Sequence, residues 1–342
     1  MKRALRNVAK SLGIPVLGVA VAQPLTEDMA YIRAACDEGC HAAMEWLPRS
    51  LDVRADPQRV LPGAQSVVMV AWPVAEKKKY QAGRSHPTDL PNTSPLPEGR
   101  IARYAAGRDY HIVLQGKLNE LAAPLRAVGA AVRVFVDAAP MLERGYAQKA
   151  GLGFVGKNNC LIHPVFGSWF LLGGLLTTLK LPEDAPLPNG CGECRRCLDA
   201  CPGRALIRPY CLDARKCLSY WTVENRGAWP EDVRANVGDR LFGCDACQEA
   251  CPYNWESTSP RYPLADVLAI VSNREFEGKF KDTAFLRLGR RGLLRNALVV
   301  AAHLKRGDLI PRIRALAENP QEHEVVRETA CWALQTLETA SL

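Results

Sequence analysis

The sequence predicts a mixed α+β or α/β protein in three parts: an α/β domain over residues 1–185, a ferredoxin-like insert over 186–258, and a helical, HEAT-like tail over 262–342. Three observations carry this expectation. Valine-rich runs alternate with helix-period runs in the first half. Cysteines then crowd into two short runs between Cys191 and Cys251, and after Leu264 only helical periodicity remains. A chain of 342 residues, 48% hydrophobic and 23% charged, is long enough for two or three domains and has an ordinary globular composition.

Lys2, Arg3 and Arg6 ahead of the apolar run Ile14–Ala22 have the look of a secretory signal. The spacing of Leu5, Val8, Ala9 and Leu12, followed by Gly13-Ile14-Pro15, predicts instead a helix and then a strand over 16–22. Further strands are expected over 66–72 and 132–136. Residues 76–100, with Lys77-Lys78-Lys79 and several prolines, read as a long loop. A helix over 109–128 buries the stripe Tyr110, Leu114, Leu118, Leu121, Leu125 and Val128, with Gly129 as its stop. Pro140 opens a helix over 141–150, and residues 160–181 read as a hairpin. The tail offers three short amphipathic helices over 286–304, 309–317 and 325–337. No apolar stretch reaches the ~18–20 residues of a membrane helix, so no membrane partner is expected.

The cysteines carry the strongest chemical signal. Cys191, Cys194, Cys197 and Cys201-Pro202 form a complete C-x2-C-x2-C-x3-C-P run; Cys244, Cys247 and Cys251-Pro252 lack only a first cysteine, which Cys217 can supply. Eight thiolates suit two [4Fe–4S] clusters, and in two-cluster ferredoxins the last Cys of each run crosses to the other cluster. The expected sets are Cys191, Cys194, Cys197 and Cys251, then Cys201, Cys217, Cys244 and Cys247. Zinc knuckles prefer separated CxxC pairs. Of thirteen cysteines, the five left over (Cys36, Cys40, Cys160, Cys211 and Cys331) show no disulfide spacing. Cys211 competes with Cys217 as the eighth ligand. Free thiols and oxygen-sensitive clusters suit the cytoplasm.

Net charge is +8, concentrated over residues 274–314, which hold eleven Lys/Arg against four Asp/Glu. Such a face points to a polyanion, most simply nucleic acid, or to a solvated helix surface. Clusters alone form an electron wire, so the α/β part should hold the acceptor. Gly151-Leu-Gly153-Phe-Val-Gly156-Lys157 follows a helix, so it fails as a dinucleotide fingerprint and reads as a ligand-contacting loop or a tight turn. Asp137 ends a buried run; desolvation would raise its pKa and suit it to general acid work, with helix capping as the alternative. Asp109 fits an N-cap, while Tyr110 and His111 are weaker candidates for substrate contact.

Taken together, Arg103–His111, Val136–Arg144, Ala150–Asn158, both cysteine runs, Cys217–Thr222 and Arg290–Asn296 resemble the epoxyqueuosine reductase family, in order and over nearly the whole chain. The resemblance implies a cytoplasmic, monomeric reductase that binds base-off cobalamin beside two [4Fe–4S] clusters. It would turn the epoxide of epoxyqueuosine in a tRNA anticodon into an alkene, with Asp137 as proton donor and an external low-potential electron donor. It implies cobalamin contacts at Arg54, Arg103, Asp137, Lys157, Asn158, Ser219, Gly243 and Asp245, and tRNA contacts at Arg287, Arg290, Arg291 and Arg295. A cobalamin-dependent reductive dehalogenase and a ferredoxin-type electron carrier are the competing readings.

Overall fold

The structure is a computed structural model that describes residues 1–74, 96–137, 139–255 and 259–339; Lys77-Lys78-Lys79 and most of the expected loop around them lie outside the described residues. The helix Lys2–Ser11 leads into the strand Val16–Val21, as the spacing predicts. The main sheet runs in the order Val16–Val21, Ser66–Pro73, Phe170–Thr177, Val132–Phe135, and every neighbouring pair is antiparallel. The first region is therefore α+β; the regular parallel crossovers of an α/β sheet are not what alternating helices and strands built here.

Both faces of the sheet are covered, which explains why its second strand reads as one continuous apolar run. Val68 and Val70 face Leu114, Leu118, Leu121 and Leu125 of the helix Tyr110–Ala127 and Leu5 and Ala9 of the first helix. Val67, Met69 and Ala71 face Tyr146 and Ala147 of the helix Glu143–Lys149. The four leucines are wholly buried, each contributing roughly 1.5–3 kcal/mol of transfer free energy. The hairpin expected over 160–181 is not formed. Leu161–Ile162 pairs with Phe154–Val155, while Phe170–Thr177 enters the main sheet. Gly174 permits that insertion, because a Cβ there would meet Val68 O at 2.6 Å.

The three expected segments are interleaved. Gly99–Ile101, at the end of the expected loop, pairs with Arg240–Phe242 of the cysteine module and Arg261–Tyr262 of the tail. One apolar core then joins Ile101, Val223, Leu241 and Phe242 to the tail helices Gly289–His303, Ile310–Glu318 and Glu324–Thr339. The first of these helices is not amphipathic: residues 292–302 are all buried. No helix among the described residues is long and apolar enough to cross a membrane.

Candidate active site and cluster ligands

A cleft of about 560 Å³ opens where the sheet, the cysteine module and the tail meet. Tyr110, Asp137, Arg103, Cys217, Ser219 and Asp245 line it, together with Glu143, Trp169 and Arg287. The helix at Tyr110 starts where it does because Asp109 caps it, accepting the His111 N–H at 2.9 Å. That cap aims Tyr110 and His111 at Asp137, which follows the strand Val132–Phe135 with a φ of +51°. Asp137 Oδ2 accepts the Tyr110 hydroxyl at 2.6 Å and lies 3.3 Å from both His111 Nε2 and Arg287 Nη2.

Burial alone would raise the Asp137 pKa. Hydrogen bonds from His111 and Tyr110 and the Arg287 charge outweigh it and hold the carboxyl well below its ordinary range. The expectation of a raised Asp137 pKa is thus overturned by its three donors. Burial likewise disfavours charged His111, but the flanking Asp109 (Nδ1 to Oδ1, 2.8 Å) and Asp137 lift it to about 9, making it an imidazolium at neutral pH. The proton-holding carboxyl is instead Glu143, pushed up to about 8 by burial and by the Asp137 charge. Its Oε1 accepts the Asp137 N–H at 2.7 Å. The helix expected from Pro140 begins at Glu143, so Asp137 is not its cap. Two carboxyls six residues apart are therefore tuned in opposite directions, a pattern suited to acid–base work.

The opposite wall is built on Arg103. Its Nη1 meets Asp245 Oδ2 at 3.1 Å, its N–H donates to the same oxygen at 2.9 Å, and its guanidinium lies 4.1 Å from the Trp169 ring centroid. Burial raises the Asp245 pKa, opposed by these Arg103 contacts. Trp169 is 2% exposed, and its indole N–H has no partner among the described residues. With Phe170, Leu171 and Leu172 beside it, this wall fits a large ligand with a broad apolar face and polar edges.

The thiols fall into two groups. Burial raises the Cys197 pKa to about 11, with Cys191 and Cys251 adding to it, and Cys251 in turn feels Cys191 and Cys194. Burial also raises Cys217 to about 11, with Cys244 and Cys201 as its thiol neighbours, while Cys247 is pushed up first by Cys160 and by burial, then by Cys244 and Cys217. Apart from Cys160, the neighbours in each group come from one expected set of four, a donor chemistry compatible with two cubane clusters. Cys211 lies instead beside Tyr31 and Cys40. Cys160, at the cleft wall beside Cys247, is a ninth thiol that spacing did not reveal.

Other expected site residues lie elsewhere. Lys157 Nζ donates to Gly192 O and Cys194 O at 2.6 and 3.0 Å, and Asn158 Nδ2 to Cys247 O at 3.3 Å, so both brace the cysteine loops. The glycines before them make room for chain packing: a Cβ on Gly153 would meet Ile162 O at 2.4 Å. Gly243 packs on Ala102, and Arg54 donates to Met141 O at 3.1 Å; neither is among the lining residues. The basic tail is mostly spent internally. Arg295 is wholly buried, bonding to Asn225, Gly227, Trp221 and Asn296. Arg290 forms a two-pronged pair with Glu322 at 2.6 and 2.9 Å. Arg291 meets His323, and Arg287 belongs to the cleft. Neither Arg290 nor Arg295 is therefore available to a phosphate.

Residues 190–254 match a family model described as a 4Fe–4S double cluster binding domain, and residues 54–138 match one described as epoxyqueuosine reductase QueG, DUF1730. The chain is 37% identical over 348 residues to the epoxyqueuosine reductase of Xanthomonas campestris pv. campestris, covering 96% of this chain and 94% of that one. It superposes on a crystal structure of epoxyqueuosine reductase with an epoxyqueuosine-modified tRNA-Tyr stem loop (TM-score 0.85, 31% identity, covering 98% and 90%). It also superposes on the Bacillus subtilis enzyme solved with its catalytic aspartate loop swung out of the active site (TM-score 0.84, 31% identity, covering 98% and 90%).

Proposed function

The chain belongs to the epoxyqueuosine reductase family, as an oxidoreductase with a double-cluster iron–sulfur domain, and we propose that its cleft reduces the epoxide of epoxyqueuosine in a tRNA anticodon to the alkene. The observation that carries this is Asp137, held at the cleft 3.3 Å from a protonated His111. A plain electron carrier has no use for such an acid pair.

Opening the epoxide to an alkene takes two electrons and two protons and releases the oxygen as water. His111 passes its proton to that oxygen by way of the Asp137 carboxylate, and Glu143 holds the second proton beside it, while Tyr110 and Arg287 fix the carboxylate's direction. Arg103, Ser219 and Asp245 would hold cobalamin. When bound, it would supply low-potential metal chemistry, and the eight cysteines would hold the clusters that feed it. The tRNA would approach over the mouth, with Arg287 and Arg291 as its phosphate contacts from the basic segment. The electrons come from an external low-potential donor.

The test is anaerobic incubation of reconstituted protein with epoxyqueuosine-containing tRNA and a strong reductant, with and without cobalamin, followed by mass analysis of the digested nucleosides. Loss of one oxygen only with cobalamin is expected. An unchanged mass with both clusters loaded would overturn the proposal.

A further inference from the structure

The two thiol sets differ in what surrounds them. Cys217 of the second set lines the cleft, whereas the first set is capped by a loop at the protein surface. Gly192 in that loop has open space where a Cβ would project, and Glu193, Arg195 and Arg196 beside it are exposed. The short helix Arg196–Asp199 packs on the strand Leu206–Arg208, bringing Arg208 and the exposed Ile207 alongside. Residues 191–216 hold six Lys/Arg and three Asp/Glu. One of those acids, Asp213, is buried and already bound by Arg215. Other nearby carboxylates are also taken: Asp184 by Lys2 and Arg6, Glu249 by Arg103 and Ser259. Arg195, Arg196, Arg204 and Arg208 form no ion pair among the described residues and are all exposed.

We propose that this face, Arg195, Arg196, Arg204 and Arg208 around Ile207, is the docking surface for a small acidic one-electron carrier protein that reduces the outer cluster. The inference rests on the cysteines holding clusters as assigned above. Electron-transfer encounters are small and steered by charge, and a basic rim around one exposed apolar side chain, begun by Arg195 and Arg196 between Cys194 and Cys197, has that form. Each encounter oxidises one carrier and delivers one electron, so two encounters match the two electrons of the reaction. Glu193 and Asp199, interspersed with the arginines, disfavour a phosphate backbone here, and the cleft that would take the base opens beside the other set.

The experiment follows bleaching of cluster absorbance in the cluster-loaded protein after mixing with a reduced acidic flavodoxin, over a range of salt, and separately with dithionite. For Arg196→Glu/Arg208→Glu the flavodoxin rate at low salt should fall about tenfold or more and lose its salt dependence, with the dithionite rate and tRNA affinity unchanged. Arg196→Gln/Arg208→Gln, milder to folding, should fall between. Wild-type flavodoxin rates in both variants with iron content intact would overturn the proposal, as would a selective loss of tRNA affinity. If dithionite fails to bleach the wild-type protein, the cluster reading fails first and the docking surface with it.

Discussion

Two arginines eight residues apart, Arg287 and Arg295, belong to regions that accommodate charge in opposite ways. At the cleft mouth Arg287 is half-exposed and faces Asp137 and Glu224. Burial works against its charge, but Tyr110, Asp137 and their neighbours outweigh this and hold its pKa above the ordinary value. In the tail core Arg295 meets no carboxylate among the described residues. Burial, aided by the charges of Arg226 and Arg291, pulls its pKa down to about 9, and backbone carbonyls, an asparagine pair and the Trp229 ring solvate it. Asn296 beside it donates to Thr222 O and Leu241 O, tying the tail to the segments that carry Cys217 and Cys244. Carboxylates, imidazoles and phenols can exchange protons; carbonyl dipoles cannot. The cleft is therefore titratable machinery and the tail core is scaffold.

Substitutions should separate the two regions. Asp137→Asn is expected to cost about 10²–10⁴-fold in turnover, the range of a lost proton-transfer group, while both clusters and cobalamin stay bound. Near-normal turnover would remove Asp137 from the chemistry. Arg295→Met should act on the fold instead. It strands several buried carbonyls, at about 1–3 kcal/mol each, and should lower the thermal midpoint and loosen the clusters together. Arg287→Met should do the reverse, lowering turnover with little change in melting. If Arg295→Met melts like the wild type, the scaffold role is wrong.

Protonation sharpens the contrast at a smaller scale. Glu143 has a folded pKa of about 8 against an ordinary 4.5, so the native protein keeps a proton the unfolded chain releases. Its contribution to stability is complete below about 4.5 and disappears as pH rises through 8. His111 behaves likewise, complete below 6.5 and lost through about 9. Glu143→Gln should therefore flatten the melting-temperature profile between about pH 5 and 8; an unchanged slope would reassign the proton. Smallest is Arg314→Ala at the exposed pair with Glu338, each about half-exposed, where the expected cost is at most ~1 kcal/mol and larger losses would show a buried role.

Local chemistry was legible in the sequence and tertiary choice was not. Cysteine spacing marks the iron–sulfur segment because each run is local, in agreement with the double-cluster family model over residues 190–254, and the cap at Asp109 is equally local. By contrast, a run of arginines looks the same whether it faces water or a core. Arg290 and Arg295 turn inward because Glu322 and Asn225, distant in sequence, receive them. The Asp137 pKa followed the same logic: its burial was readable, but Tyr110, His111 and Arg287 arrive from two other elements. Glu143 carried one weak signal, an acid in the first turn of a helix six residues after Asp137.

The cleft chemistry rests on an ionised Asp137 beside a protonated His111. ¹⁵N NMR of the protein with labelled histidine, only six in the chain, tests it most directly. His111 should remain an imidazolium to about pH 9 and revert toward its ordinary titration in Asp137→Asn. A neutral His111 ring at pH 7, indifferent to Asp137→Asn, would contradict it.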